Sequence, residues 1–563
     1  MHSNTSRRTF VKGLAAGGLL GGLGLWRTPV WALTRAGEPQ MLTGSDFELF
    51  IGETPVNITG NPRTAMTING GIPGPLLRWR EGDTVTLRVK NRLKETTSIH
   101  WHGILLPANM DGVPGLSFHG IEPGGVYVYQ FQVRQNGTYW YHSHSGLQEQ
   151  SGVYGPLVID AKEPEPFEYD RDHVVMLTDW TDEDAASLMN TLKKQSDYYN
   201  YNKRTVGDFI DDVSKNGWAA TVADRKMWAE MKMNPTDLAD VSGATYTYLM
   251  NGQAPDSNWT GVFRPGEKLR LRFINGSAMT YFDVRIPGLK MTVVAADGLH
   301  VKPVSVDEFR IAVAETFDVI VEPTQDAYTV FAQSMDRTGY ARGTLAMKAG
   351  LSAPVPALDP RPLVSMDDMG MGGMDHGSMA GMDHSAMGGM QAHPATENDN
   401  PLVDMQAMST SPKLDDPGLG LRNNGRRVLT YSDLRSTFED PDGRDPGRTL
   451  ELHLTGHMEK FAWSFNGVKF SDAEPLRLKY GERVRIVLVN DTMMTHPIHL
   501  HGMWSDLEDE NGEFMVRKHT IDMPPGSRRS YRVTADALGR WAYHCHLLYH
   551  MEMGMFREVR VEE

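Results

Sequence analysis

A strand pattern of ten residues recurs three times along this chain, each copy a whole domain away from the last. Gly82-Asp83-Thr84-Val85-Thr86-Leu87-Arg88-Val89-Lys90-Asn91 aligns with GEKLRLRFIN from Gly266 to Asn275 and with GERVRIVLVN from Gly481 to Asn490. Each copy opens on a Gly-acid turn, alternates side chains as a strand does, and ends on Asn. An Asn-Gly pair precedes each one: Asn69-Gly70, Asn251-Gly252 and Asn466-Gly467. That dipeptide is turn chemistry. Repetition at such distances predicts repeated folding units rather than a short-period solenoid. At 563 residues the chain also exceeds one ordinary core. The expectation is an all-β fold of three consecutive Greek-key β-sandwich domains, roughly 42–165, 166–350 and 425–563. A small helical insert is expected in the second, over 205–235, from Val206 to Val213 and Ala219 to Met231.

The repeats place histidines in equivalent positions. His100 lies nine residues after Asn91 and His499 nine after Asn490, while the same place in the second copy holds Val284. GTYWYHSH, ending at His142-Ser143-His144, parallels GRWAYHCH, ending at His544-Cys545-His546. The first and third domains therefore carry matched histidine strands and the second is a spacer. Ser143 stands where Cys545 stands, so only the third domain has a thiol at that place.

Cys545 is the chain's single cysteine, which excludes an internal disulfide and points to a ligand role. A blue-copper centre takes one thiolate, two imidazoles and often an axial thioether. Cys545, His550 and Met555 offer three of these, and His496 in HPIHLHG can supply the fourth. Alternate side chains of a strand face opposite ways, so His544 and His546 can turn toward one metal cluster while Cys545 turns toward another metal. His119, His173, His300, His453, His457 and His519 lack such company and read as surface or hydrogen-bonding residues.

The net charge of −15 disfavours a nucleic acid partner and favours cations. The start, Ser6-Arg7-Arg8-Thr9-Phe10-Val11-Lys12 before an uncharged Gly13–Leu25 run, reads as a twin-arginine export signal within residues 1–32. Its loss would remove Arg7, Arg8, Lys12 and Arg27 and no acid, taking the charge from −15 to −19. No apolar run is long enough to span a bilayer readily, so a periplasmic protein without stable membrane insertion is expected.

Between the second and third domains, about 351–420, a low-complexity stretch is expected to be flexible. It carries Met366, Met369, Met371, Met374, Met379, Met382, Met387 and Met390 with His376, His384 and His393. Thioethers suit Cu(I), so additional labile Cu(I) is expected there. Other candidates for the approach of Cu(I) are Met494, with Met493 and Asp491, then Met551 and Met553. Met227, Met231 and Met233 could line it from the helical insert.

HWHG, HSH, HPIHLHG and HCHLLYHMEMGM together resemble the four copper signatures of the multicopper oxidases, the family of laccases, ascorbate oxidase and bacterial cuprous oxidases. The twin-arginine start, the Met/His-rich stretch and YWYHSHSG resemble most closely the periplasmic copper-resistance oxidases. The resemblance implies cupredoxin-like domains and four copper ions. It assigns His496, Cys545, His550 and Met555 to the type 1 copper and His100 with His499 to the type 2 copper. His102, His142, His144, His501, His544 and His546 become the ligands of the type 3 pair. Asp111, nine residues after His102, matches an acidic position beside the type 2 copper and is a candidate proton carrier, although Asp111-Gly112 also reads as a turn. Met551 replaces a glutamate expected after the type 1 histidine, and Glu552 follows it as a second candidate acid.

The expected function is oxidation of Cu(I) to Cu(II) coupled to four-electron reduction of O₂, in periplasmic copper tolerance. The protein is expected to be a monomer and to meet copper-handling proteins. A laccase-type phenol oxidase and a copper-sequestering protein are the alternatives.

Overall fold

The computed structural model describes residues 40–372 and 391–563. The export segment 1–32 and the methionines from Met374 to Met390 lie outside the described residues. Among those described, the strands form two sheets in each of three consecutive β-sandwiches, with five and four strands in the first and six and five in each of the others. Neighbouring strands are often non-consecutive, because the chain crosses between the two sheets of a sandwich as a Greek key does.

The threefold pattern occupies the same place in each sandwich. Strands Thr84–Asn91, Leu269–Asn275 and Arg483–Asn490 each pair in parallel with an early strand of their domain, Asp46–Val56, Arg171–Thr181 and Arg448–His457 respectively. On the other side each pairs antiparallel with a later strand. The terminal asparagines explain why the pattern stops there. Asn91, Asn275 and Asn490 are fully buried, and each Oδ1 accepts from the backbone N–H two residues on. Each Nδ2 donates to two backbone carbonyls, fixing the loop that follows. Asn69, Asn251 and Asn466 all have positive φ near 50° and are followed by glycines of positive φ, the backbone of a type I′ turn.

The helical insert consists of Val206–Asn216 and Trp218–Met231, the first opened by a Thr205–Asp208 capping box. A further helix, Ala185–Lys194, was not expected; it buries Leu188, Met189 and Leu192.

The stretch 351–420 departs from the flexible segment expected. Where described it is irregular chain with turns and one short 3-10 helix, laid on the second and third domains, with Val364, Met369, Met405, Ala407 and Leu414 buried. Its backbone is fastened residue by residue: Val364 N–H donates to Pro235 O, Asp404 N–H to Gly456 O, and Ser411 O accepts from Arg528 N–H. Such anchoring needs no periodicity within the segment, which is why composition alone reads as unstructured. No helix of the described residues is long and apolar enough to cross a membrane.

Candidate metal centre

Equivalent strand pairs carry the histidines. In the first domain His100–His102 pairs with Gly137–His142, setting His100 opposite His142. In the third, His496–Leu500 pairs with Gly539–Cys545, setting His499 opposite His544 and Ile498 opposite Cys545. The two pairs meet across the interface of these domains: the rings of His100 and His501 stack at 3.9 Å, as do those of His102 and His499.

The eight imidazoles sort by contact. His144, His501 and His544 form one group, with Nε2 of His544 3.4 Å from that of His144 and 3.1 Å from that of His501. His546 lies 4.9 Å from His102 and 5.0 Å from His142, ring to ring, forming a second. His100 and His499 complete the set at 5.9 Å. All but the partly buried His144 are almost wholly enclosed.

The orientation of these rings fits metal ligation. Nδ1 of His100 donates to Asp111 O, that of His499 to His519 O, and that of His544 to Cys545 O. His142 Nδ1 meets Glu149 Oε2 at 2.6 Å and His501 Nδ1 meets Asp111 Oδ2 at 2.8 Å. A nitrogen that donates outward leaves the other with a lone pair directed inward. Nε2 of His100, His142, His499 and His546 is buried without a hydrogen-bond partner, as is Nδ1 of His102. Burial, reinforced by neighbouring imidazoles, holds His102, His142, His144, His499, His501 and His546 well below the usual histidine range. His544 falls to about 3, chiefly through burial. Neutral rings with converging lone pairs are what a metal cluster requires.

Cys545 turns away from this set. Its Sγ lies 3.5 Å from His496 Nδ1 and 3.9 Å from His550 Nδ1, and these two nitrogens are 3.2 Å apart. The backbone N–H of Cys545 donates to Met555 O, and Met555 N–H to His550 O, so the loop closes on itself with Met555 fully buried. Burial pushes the Cys545 thiol up and His496 and His550 down. A coordinated metal overrides the first effect by deprotonating the thiol.

Two glycines permit this packing. A Cβ on Gly103, at φ +77°, would fall 2.5 Å from the His519 ring. One on Gly112, at φ +83°, would fall 1.8 Å from Ile99 O. The second close approach seats Asp111 against the strand of His100, where its Oδ1 also stands 3.3 Å from His100 Nδ1. Asp111 is thus both in a turn and on two of the imidazoles.

Several contacts were not anticipated from sequence. Asp240 accepts from His550 Nε2 at 2.7 Å, Thr492 Oγ1 lies 2.7 Å from His496 Nε2, and Glu149 holds His142. His519, read as an ordinary residue, lies beside the cluster with Nδ1 3.2 Å from His102 Nε2. Among the Cu(I) candidates, Met493 and Met494 are buried in the wall of a cavity shared with Leu238, Thr495 and Asp522. Asp491 instead turns to His393 and His453. Met551 and the exposed Glu552 line a cleft of about 330 Å³ whose wall includes His144. Met227 and Met231 are partly buried and Met233 buried, with Met553 partly buried at the end of the short helix Leu548–Glu552.

Residues 51–164, 171–350 and 443–563 each match the multicopper oxidase family. The chain is 78% identical to a copper resistance protein A homolog of Pseudomonas syringae pv. tomato over the whole of both chains. It is 73% identical to copper resistance protein A of Escherichia coli over 99% of each. Among solved structures it resembles Fet3p, a multicopper oxidase that functions in iron import, with a TM-score of 0.65 and 20% identity over 92% of this chain and 91% of that one. The laccase of Botrytis aclada superposes with a TM-score of 0.61 at 20% identity, over 95% and 89% respectively. With three cupredoxin-like domains, two imidazole groups bridged by a Cys-centred strand and relatives of this closeness, the chain belongs to the multicopper oxidases and is a copper-dependent oxidase.

Proposed function

We propose that this oxidase takes Cu(I) as its reductant and O₂ as its oxidant, in copper tolerance. Four Cu(I) give four electrons and become Cu(II), while O₂ takes up four electrons and four protons and leaves as two water molecules. The observation that carries the reading is the placement of Cys545. Its thiol faces His496 and His550, while the flanking His544 and His546 enter two different imidazole groups. The chain itself thus joins the two regions through one residue's backbone in each direction. Bound copper, four ions as type 1, type 2 and a type 3 pair, supplies one-electron storage and a place for dioxygen.

The surrounding residues have separable tasks. His496, Cys545, His550 and Met555 would hold the type 1 ion, His100 and His499 the type 2 ion, and the remaining six histidines the type 3 pair. Asp111 orients His501 through Oδ2 and can hold a proton beside the cluster. Glu552 stands on the cleft that reaches His144 and is placed to exchange protons with solvent. Asp240 keeps Nε2–H of His550 engaged, leaving Nδ1 toward Cys545. Met493 and Met494 give soft ligands for Cu(I) close to His496. The relatives named for copper resistance support copper rather than a phenol as the substrate. We place the protein in the periplasm, exported by the twin-arginine route, as a monomer that meets copper-handling proteins.

Steady-state oxidation of Cu(I) in a weakly chelated form, compared with a simple phenol under the same O₂, tests this. The expected result is a kcat/KM for Cu(I) at least about tenfold higher, with one O₂ consumed per four Cu(I). A preference for the phenol would make the protein a laccase-type oxidase instead.

A further inference from the structure

A second set of imidazoles and carboxylates converges away from the copper-ligand histidines. His393 and Glu397 belong to the segment before the third domain, His453 to strand Arg448–His457, and Asp491 to the turn after Arg483–Asn490. The side chains of Glu397 and Asp491 are fully buried, that of His453 almost so, and that of His393 is 14% exposed. His393 Nε2 donates to Ala407 O at 3.0 Å, which turns Nδ1 toward the carboxylates. That Nδ1 points at Asp491 Oδ2, 3.2 Å away, and at Glu397 Oε2, 3.4 Å away. His453 is arranged likewise: Nε2 meets Glu451 Oε1 at 3.3 Å, and Nδ1 faces the same Asp491 Oδ2 at 2.6 Å and Glu397 Oε1 at 3.7 Å. Glu397 Oε1, aimed into this space, is buried without a hydrogen-bond partner.

Two buried carboxylates require positive charge among them: without a metal the acids hold both rings above the usual histidine range despite burial, His393 at about 10, and a bound cation would take over that role. We propose that His393, Glu397, His453 and Asp491 form a divalent metal site, separate from the oxidase coppers, that pins the end of the methionine-rich segment to the third domain. Two imidazoles and two carboxylates, with neither thiolate nor thioether, suit a borderline ion such as Zn(II) or Cu(II) rather than Cu(I). The outer contacts of a metal site are also present. Ala407 N–H donates to Asp491 Oδ1 at 2.8 Å and Gln406 Nε2 to Glu397 Oε2 at 3.1 Å, orienting both carboxylates. Glu397 also lines an open groove with Asp399 and Asp404, a negatively charged approach for a cation. Asp491 is one residue from Thr492, which contacts His496, so the pin sits beside the type 1 loop.

Holoenzyme treated with a mild chelator is titrated with Zn(II) and, in a separate arm, Cu(II), and bound metal is counted by elemental analysis. Crystals soaked with each ion are measured at its absorption edge. One divalent equivalent is expected in the parent and should be missing from Glu397→Gln and His393→Gln, both of which should keep their blue absorption. The anomalous peak should lie about 2.0–2.2 Å from the imidazole and carboxylate atoms, and the ion retained in a direct competition identifies the occupant. The parent crystal needs no variant, so a folding defect in either substitution leaves the test intact. Equal counts in all three proteins, with no peak between His393 and His453, would overturn the proposal and leave two imidazolium rings as the neutralising charge.

Discussion

Asp240, from the second domain, accepts a 2.7 Å hydrogen bond from His550, whose other nitrogen faces Cys545. The second domain, which holds none of the proposed copper ligands, thereby fixes the tautomer of one of them. Both partners are almost wholly buried, so the pair survives only while the second and third domains remain docked. On the proposed assignment the spacer domain is therefore also a positioning device for the type 1 ligands.

Replacing Asp240 with Asn keeps an acceptor for His550 but removes an acid that burial holds up at about 7, and with it the negative charge of its ionised form beside the proposed type 1 ligands. Cu(I) oxidation should lose about tenfold in kcat/KM, about 1.4 kcal/mol, while turnover of an uncharged phenol changes far less. Steady-state kinetics with both reductants check this. An equal loss for both would make Asp240 a structural support alone.

Cys545→Ser should remove the intense blue absorption and stop turnover, even where metal analysis still finds the remaining coppers. On the proposed assignment Cys545 supplies the type 1 thiolate, and its backbone is the link to His544 and His546. Absorption spectra and oxygen uptake on metal-counted protein decide the matter, and a parental rate at full loading would displace Cys545 from its role.

How much of this was legible in the sequence depends on how locally each feature is determined. The three sandwiches were legible because Asn91, Asn275 and Asn490 end equivalent strands and tie down equivalent loops, a purely local device repeated three times. The His-x-His spacing sufficed to separate Cys545 from its neighbours because strand alternation is obligatory. Asp240 and Glu149 were not legible: their partners lie 310 residues away for Asp240 and across a turn for Glu149, and neither sits in a periodic pattern. His393, His453 and Asp491 were invisible as a group for the same reason, since two chain crossings bring them together. The segment 351–420 misled because its anchoring is made of single backbone contacts to other elements, which leave no signature in composition.

Asp111→Asn should leave the blue absorption intact and slow reoxidation of the reduced enzyme by O₂ by about tenfold to a hundredfold, the scale of a lost acid–base group. The carboxamide can still occupy the space beside His100 and His501 but carries no acid proton to deliver. Rapid mixing of reduced enzyme with O₂ across a range of pH should show the reduced state persisting. Unchanged reoxidation at every pH would reduce Asp111 to its place in the turn.

Deleting residues 373–390 should separate the methionine-rich stretch from the fold. The flanks cannot be included, because Met369 is buried and Gly370 accepts a backbone bond from Ser409. Val364, Met405 and Ala407 fasten the chain on either side, so the shortened protein should keep its stability and its catalytic coppers. Five methionines and two histidines are lost with the deletion. Soft thioethers favour Cu(I), so anaerobic titration should find fewer additional Cu(I) equivalents. Turnover of Cu(I) should fall at low free copper and recover at high, a rise in KM with little change in kcat. A small organic reductant should be oxidised as before. Identical Cu(I) binding and identical Cu(I) kinetics in the two proteins would leave these residues as a spacer and would remove the stretch from any part in collecting the substrate.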